Sequence, residues 1–217
     1  MDENIIVRLE TEKVITPTFR KLAPAKKEKV YKSALNYFGE DVFERVTLDD
    51  IAKTAKISKG SLIQYFGFKG NLLIFLAEIV VSNYKRFFKS YFLRETAIRT
   101  KDRIDQFFLS HLVFRKANRA EFDFILQMLF ENSSKLSGDF INTIFDIQKE
   151  CISTIIKRGV QSNQLRRDVR SQYLVTIIHS TFIGLLRGHF LDKTTLRKND
   201  FTINLNQCLN LVFEGIK

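Results

Sequence analysis

Four polar side chains between residues 58 and 66 have the types and spacing needed to recognise a nucleic acid. They are a cation, a hydroxyl, an amide and a phenol, namely Lys59, Ser61, Gln64 and Tyr65. The amide of a glutamine can pair with adenine, and a lysine can neutralise a backbone phosphate. Leu62 and Phe66 stand four residues apart, which predicts a short helix with one buried side. The polar groups would then stay free to contact DNA.

The surrounding sequence, TLDDIAKTAKISKGSLIQYF at 47–66, predicts two short helices joined by a tight turn. Thr47 can cap the first helix and Ser58 the second, because a hydroxyl oxygen accepts a hydrogen bond from a backbone N–H at a helix start. The first helix has one apolar face, formed by Leu48, Ile51, Ala52 and Ala55. Such a pair is a helix-turn-helix, in which the first helix holds the second at the angle that enters a major groove.

Positions along the two helices suggest a contact for each candidate residue. Base edges are assigned to three side chains of the second helix, namely Ser61, Ile63 and Gln64. Phosphate contacts are assigned to a hydroxyl, two lysines and a phenol, namely Thr47, Lys59, Lys69 and Tyr65. Gly60, which has no side chain, would let the protein backbone approach the DNA backbone closely. Any one of these residues alone is as typical of a solvated surface as of a DNA contact, so the assignment depends on their shared spacing.

Composition fits a packed helical protein. The chain has 217 residues, of which 45% are hydrophobic and only two are proline. This composition argues against a disordered chain and favours one large or two smaller domains. The formal charge of +11 suggests a polyanionic partner, but only +3 of it lies within residues 24–70. A generally basic protein explains the total about as well as DNA binding does, so the helix-turn-helix is the stronger indication.

The sequence gives no indication of an enzyme, a metal site or a secreted protein. No Ser/His/Asp set, metal-ligand spacing or glycine-rich phosphate loop is present, and we expect no cofactor. Cys151 and Cys208 lie in apolar helical patterns without the spacing of a disulfide framework. No export signal or membrane span is recognisable, because the most apolar run, 72–81, is broken by Glu78. We therefore expect a cytoplasmic protein that is not an enzyme.

Most of the chain shows helical spacing, and no strand pattern competes with it, so the predicted fold class is all-α. Residues 1–23 lack clear periodicity and are interpreted as an N-terminal extension, either a basic arm that reaches DNA through Arg20 and Lys21 or a disordered tail. We place a DNA-binding domain at 24–70 and a second domain at 71–217. The predicted helices outside the helix-turn-helix are 24–39, 69–92, 101–117, 119–135, 138–159, 168–191 and 200–215.

Residues 26–80 resemble the N-terminal domain of the TetR family of bacterial transcriptional regulators, in which a long helix precedes the helix-turn-helix and another follows it. The resemblance rests on residues spread over these four helices, namely Ala34, Leu35, Phe38, Thr47, Ile51, Ala52, Ala55, Ser58, Lys59, Gly60, Ser61, Leu62, Phe66, Lys69 and Leu72. The rest of the chain resembles the family in being an all-helical body of suitable length. Lys56 departs from the pattern, because the family usually has glycine there, and it would have to adopt a left-handed backbone.

The resemblance implies a homodimer whose paired recognition helices read two halves of a palindromic operator. It also implies a C-terminal helical bundle that dimerises through the last two helices and binds a small hydrophobic effector, which releases the protein from DNA. A row of small residues fits such a dimer seam and fits packing within one chain equally well, namely Ser180, Thr181, Gly184 and Gly188. The expected function is a ligand-released repressor. A constitutive or protein-partnered DNA-binding factor without an effector is the alternative.

Candidate effector-binding residues lie in the second domain, which is rich in phenylalanine. They are polar or aromatic side chains within apolar stretches, namely His111, Gln127, Phe130, Phe145 and His179. An aromatic stripe can line a cavity for a hydrophobic ligand, but more often it is packed core. A buried histidine or glutamine is likewise often a satisfied core residue, and His179 can instead serve the dimer interface.

Overall fold

The computed structural model describes residues 1–92, 99–131, 135–168, 170–190 and 201–214. Every regular element in these ranges is a helix, which confirms the predicted all-α fold class. In chain order the helices are α1 (Glu3–Thr11), α2 (Pro17–Arg20), α3 (Pro24–Glu40), α4 (Leu48–Ala55), α5 (Lys59–Phe66), α6 (Lys69–Phe92), α7 (Thr100–Ala117), α8 (Arg119–Phe130), α9 (Lys135–Gln161), α10 (Ser171–Phe190) and α11 (Phe201–Glu214).

Helix boundaries in the helix-turn-helix follow the predicted capping residues. The Thr47 hydroxyl accepts a hydrogen bond from the Asp50 backbone N–H at 3.2 Å. The Ser58 hydroxyl accepts one from the Ser61 backbone N–H at 3.0 Å. Between the two helices, Lys56 ends α4 in the left-handed conformation, with φ 56° and ψ 47°. The turn therefore has the backbone expected for this motif, although no glycine occupies that position.

Three helix ends differ from the prediction by three residues or more, and one of them is the start of α9, which is at Lys135 instead of 138. α8 ends at Phe130, five residues before the predicted end at 135, and Glu131 is its C-cap. α10 begins at Ser171 instead of Asp168. The carboxylate of Asp168, the residue at which this helix was expected to begin, accepts from the guanidinium of Arg166 at 3.0 Å. Asp168 is thus held in a local ion pair, and α10 begins three residues later.

The N-terminal extension is folded. Residues 1–23 contain α1 and α2, which are capped by the preceding side chains of Asp2 and Thr16. Three apolar side chains of this segment have no exposed surface, namely Ile6, Leu9 and Phe19. The Arg20 guanidinium is ion-paired with Glu10. The segment is therefore neither a disordered tail nor a free arm, and both interpretations are corrected.

The structure divides into two compact units, of which unit 1 comprises Met1–Phe87 and Arg115–Asn142. In unit 1, α3 packs against α4 and α8, and α2 packs against α5. Gly39 lets α3 approach α8 closely, because a Cβ at this position would lie 3.1 Å from the backbone nitrogen of Phe124. The core of unit 1 is strongly aromatic and includes Phe19, Phe38, Phe75 and Phe124.

Unit 2 comprises Phe88–Phe114 and Thr143–Lys217. Its helices are most of α7 and α9 together with α10 and α11. The centre of unit 2 is also aromatic, and the rings of Phe108 and Phe182 stack with centroids 4.5 Å apart. Residues of α6, α7 and α9 belong to both units, so each unit contains two separate chain segments. The two domains expected from the sequence were instead consecutive segments.

The described residues contain neither a disulfide nor a cluster of metal ligands. Cys151 and Cys208 are free thiols, and burial raises the pKa of Cys151 to about 12. Within the same ranges there is no group of three or more His, Cys, Asp or Glu side chains that is able to hold a metal ion. No single described helix is long and apolar enough to cross a membrane. Lys59–Phe66 and Lys69–Ser90 reach that length and composition only together, with a bend of 67° between them.

Candidate nucleic-acid interface

α5 has a buried side and an exposed side, as a recognition helix requires. Leu62 and Phe66 are buried in unit 1, whereas Ile63 and Gln64 are exposed. Ile63 keeps 45% of its surface exposed. Two of the side chains assigned to base edges are therefore accessible to a partner.

The first turn of α5 leaves room for close approach of a partner backbone. Gly60 is exposed, and the only atom that a Cβ there would meet within 4 Å is the Ser58 hydroxyl oxygen, at 3.7 Å. The third residue assigned to a base edge, Ser61, is half-buried, and its hydroxyl lies 2.9 Å from that of Ser58. The Ser61 hydroxyl is thus held at the start of the helix by the Ser58 hydroxyl.

Two of the predicted phosphate ligands are exposed and are held by nearby carboxylates. The Lys59 ammonium donates to Asp49 at 2.7 Å, and both side chains are more than half exposed. Such a surface pair is weak, so that a phosphate can replace the carboxylate. The Thr47 hydroxyl donates to the Asp50 carboxylate at 2.5 Å while it accepts from the Asp50 backbone. A phosphate at this helix start would have to displace Asp50.

Tyr65 is buried, contrary to the prediction that it stays free for a phosphate. Only 4% of its surface is exposed. Its ring centroid lies 5.8 Å from that of Phe19 and 6.4 Å from that of Phe66. The helical spacing contains the reason, because residues three and four apart share a face, and Tyr65 follows Leu62 by three. Tyr65 therefore belongs to the apolar side of α5.

Lys69 bonds backbone carbonyls of its own chain instead of staying free for a phosphate, which corrects a second assignment. Its ammonium donates to the backbone carbonyl oxygens of Phe43 at 2.5 Å and Val46 at 2.8 Å. It also lies 4.3 Å from the centroid of the Phe43 ring. A lysine at the start of α6 thus ties that helix to the loop between α3 and α4.

A buried polar link in unit 1 was missed by the sequence analysis. The Tyr31 hydroxyl donates to Glu121 Oε1 at 2.8 Å, and the Asn83 side-chain amide donates to the same oxygen at 2.7 Å. Burial raises the pKa of the Glu121 carboxyl, and these two donors oppose that shift. The link joins α3, α6 and α8. An isolated glutamate at the start of a predicted helix gives no sequence signal for it.

The candidate effector residues lie in both units. In unit 1, Gln127 and Phe130 are half-buried. Three candidates lie in unit 2, where His111 and His179 are buried and Phe145 is half-buried. The T-shaped contact between Phe145 and His179 has ring centroids 4.9 Å apart. The structure therefore brings Phe145 and His179 together.

Both candidate histidines make hydrogen bonds within unit 2. The His111 Nδ1–H donates to the Phe107 carbonyl oxygen at 3.0 Å, and His179 Nε2 lies 2.9 Å from Gln148 Oε1. Burial lowers the pKa of His111 to about 3 and that of His179 to about 4. Their neutral rings are packed core residues, which was one of the two interpretations open from the sequence.

α10 carries an exposed face of apolar and small residues. These residues follow one another at spacings of three and four, namely Tyr173, Ile177, Ser180 and Gly184. A Cβ built on Gly184 would meet no atom within 4 Å. Leu211 of α11 is also an outlier for an apolar residue, with 74% of its surface exposed. Of the predicted row of small residues, Gly188 is buried and packs within the chain.

The sequence matches a known protein family over the helix-turn-helix region. Residues 30–74 match the family described as "Bacterial regulatory proteins, tetR family". The matched segment begins within α3, contains α4 and α5, and ends in the first turns of α6. No curated protein sequence matches the chain.

Solved structures with the same fold cover most of the chain. A TetR family transcriptional regulator from Chloroflexus aurantiacus has a TM-score of 0.68 at 15% identity, covering 93% of this chain and 98% of its own. The transcriptional regulator FadR from Bacillus subtilis, in complex with stearoyl-CoA, has a TM-score of 0.69 at 16% identity, covering 88% and 100%. The fatty acid degradation regulator FadR from Bacillus halodurans has a TM-score of 0.68 at 14% identity, covering 89% and 96%. Residues 30–74 thus match the TetR family of bacterial regulatory proteins, and the whole chain has the fold of solved TetR-family regulators.

Proposed function

We propose that the protein is a homodimeric transcriptional regulator that reads a palindromic DNA site with α5. The observation that carries the proposal is the accessible face of this helix, on which Ile63 and Gln64 are exposed and Lys59 has only a weak surface ion pair. Gln64 pairs with adenine and Ile63 contacts a thymine methyl. Lys59 neutralises a phosphate, and Gly60 lets the backbones approach.

Dimerisation supplies the second half of the recognition surface. One short helix makes few base contacts, whereas the two DNA-binding domains of a dimer add their binding energies on one duplex and require a fixed spacing of half-sites. The exposed face of α10, with Tyr173, Ile177 and Gly184, supports a seam between two copies, together with Leu211 of α11. Such a seam is self-complementary, as a twofold axis requires.

The proposed regulator represses transcription while it is bound to DNA, and a small hydrophobic effector releases it from the DNA. The B. subtilis FadR structure holds stearoyl-CoA, and the fold of this chain is similar to it. Residues 71–217 would bind an effector of this acyl type. α6 would couple effector binding to the DNA-binding domains by a shift between two conformations. An effector acts only if it binds one of these conformations more tightly than the other.

A packed aromatic centre favours the second candidate, a DNA-binding factor without an effector. Phe107, Phe108 and Phe182 are completely buried, and Phe108 stacks on Phe182. Side chains packed in this way fill the space that a ligand would need. The two candidates share the DNA site and differ only in their response to ligands.

Selection of bound sequences from random duplex DNA by the full chain tests the proposal. We expect enrichment of a twofold symmetric site that binds two copies of the chain, as measured by native mass spectrometry. Stearoyl-CoA, with free CoA as the control, should then lower the affinity for that site under the first candidate and leave it unchanged under the second. Enrichment of no sequence, with only salt-sensitive binding to any duplex, would contradict both.

A further inference from the structure

The C-terminal end of the recognition helix has a complete set of hydrogen-bond partners. The last four carbonyls of an α-helix lack partners within the helix, and in α5 they belong to Ile63, Gln64, Tyr65 and Phe66. The Gly67 backbone N–H donates to the first of them at 2.7 Å. The Asn71 side-chain amide donates to the last at 2.9 Å. The two carbonyls in between are bonded from a distant part of the chain.

Thr16 bonds both of these carbonyls. Its hydroxyl donates to Gln64 O at 2.9 Å, and its backbone N–H donates to Tyr65 O at 2.9 Å. The same hydroxyl oxygen accepts from the Phe19 backbone and so caps α2. A hydroxyl has one proton and two acceptor positions, so these two uses are compatible. Thr16 lies outside residues 30–74, the part that matches the family.

Packing fixes the segment that carries Thr16. Phe19 has no exposed surface, and its ring centroid lies 4.8 Å from that of Phe66. Ile15, the residue before Thr16, is 2% exposed. The segment is therefore anchored in the core of unit 1 on both sides of Thr16, and it offers α5 a fixed base.

We propose that Thr16 is a positioning residue for DNA recognition, which holds the Gln64 end of α5 in one conformation. The inference rests on the proposed function, in which the Gln64 amide reads a base edge. Pairing of an amide with adenine through two hydrogen bonds requires a defined direction, which a fraying last turn would not keep. Thr16 acts through the backbone of α5 without contacting DNA.

Three substitutions separate the two uses of the Thr16 hydroxyl. Thr16→Ser keeps both the donor and the acceptor. Thr16→Asp keeps an acceptor that caps α2, but an ionised carboxylate has no proton to donate to Gln64. Thr16→Val removes both. Thr11→Val is a matched control in the same segment, because the Thr11 hydroxyl donates at 3.0 Å to Val7 of its own helix.

Hydrogen exchange of the full chain, followed by mass spectrometry, measures the end of α5 directly. We expect the amides of residues 65–67 to exchange about 3- to 10-fold faster in Thr16→Asp and Thr16→Val, because one hydrogen bond is lost. Affinity for the selected DNA site should fall by a similar factor. Thr16→Ser and Thr11→Val should match the wild type in both measurements.

Unchanged exchange at residues 65–67 in Thr16→Asp would overturn the proposal, and so would faster exchange with unchanged DNA affinity. If Thr16→Val also loses protection throughout α3, that variant has unfolded the domain, and Thr16→Asp then decides. If the wild type enriches no DNA sequence, the proposed function fails, and so does the role of Thr16 in DNA recognition. The exchange data would still show whether Thr16 holds the helix end.

Discussion

Lysines around the helix-turn-helix serve two different purposes, which substitution can separate. Lys69 donates to the carbonyls of Phe43 and Val46, whereas Lys59 pairs with the exposed Asp49. We expect Lys69→Met to lower the free energy of unfolding by about 1–3 kcal/mol, because two backbone acceptors lose a charged donor. Lys59→Met should change it by less than about 0.5 kcal/mol. Urea unfolding of both variants measures the difference.

DNA binding gives the opposite order for the same two variants. Lys59→Met should weaken binding to all sequences and reduce the slope of log affinity against log salt by about 1, as the loss of one phosphate contact does. Lys69→Met should leave this slope unchanged. Equal losses of stability in the two variants, or a reduced slope in Lys69→Met, would contradict the structural assignment of Lys69.

We expect the buried His111 to make the stability of the protein depend on pH. Burial lowers its pKa from 6.5 to about 3, so unfolding takes up a proton between these values. The contribution of His111 to the free energy of unfolding is therefore fully present above pH 6.5. It is lost as the pH falls, by up to about 1.4 kcal/mol per pH unit. His111→Phe, which fits the aromatic surroundings, should reduce that slope. Urea unfolding at pH 7, 6 and 5 measures it, and an unchanged slope would refute the assignment.

At the scale of elements, local capping signals predicted α4 and α5 correctly, whereas long-range packing caused the error at Lys69. Thr47 and Ser58 mark helix starts by their own chemistry, which needs no distant partner. Tyr65 lies on the buried side that its spacing to Leu62 indicates, and its aromatic partner Phe19 is far along the chain. Lys69 finds its carbonyl partners more than 20 residues earlier. Neither contact leaves a local pattern.

The missed helices α1 and α2 show the same limit. α1 has three of its four apolar residues in one consecutive run, and α2 is only four residues long, so neither shows a repeated helical spacing on its own. Thr16 followed by Pro17 is a cap and first-turn signal that was available in the sequence. Only the structure shows that this cap also bonds the carbonyls of Gln64 and Tyr65.

The polar link between α3, α6 and α8 predicts unequal effects for two tyrosines of α3. Tyr31 donates to the buried Glu121, whereas the Tyr37 hydroxyl lies 3.0 Å from the exposed Thr54 hydroxyl. Tyr31→Phe should lower the free energy of unfolding by about 1.5–3 kcal/mol, because a buried carboxylate loses a donor. Tyr37→Phe should cost less than about 1 kcal/mol. Thermal and urea unfolding compare them, and equal costs would contradict the link.

For the whole molecule, the exposed face of α10 predicts a dimer that one charge can split. Ile177 lies on this face with 49% of its surface exposed, and Val113 of α7 is similarly exposed at 51%. Ile177→Asp should shift the protein to a monomer in sedimentation velocity experiments, because a buried unpaired carboxylate in a seam is costly. Val113→Asp should leave the dimer intact. A monomeric wild type, or equal effects of both changes, would contradict the proposed seam.

The most direct test of recognition by α5 compares the DNA affinities of the wild type and of Gln64→Ala. Both proteins are measured on the selected palindromic site and on a shuffled duplex, at one fixed salt concentration. We expect the substitution to weaken binding to the selected site by about 1–3 kcal/mol and to leave binding to the shuffled duplex unchanged, because a base contact carries sequence information and a phosphate contact does not. Equal affinity of the two proteins for the selected site would contradict the assignment of Gln64. Equal weakening on both duplexes would show that α5 binds DNA without reading it.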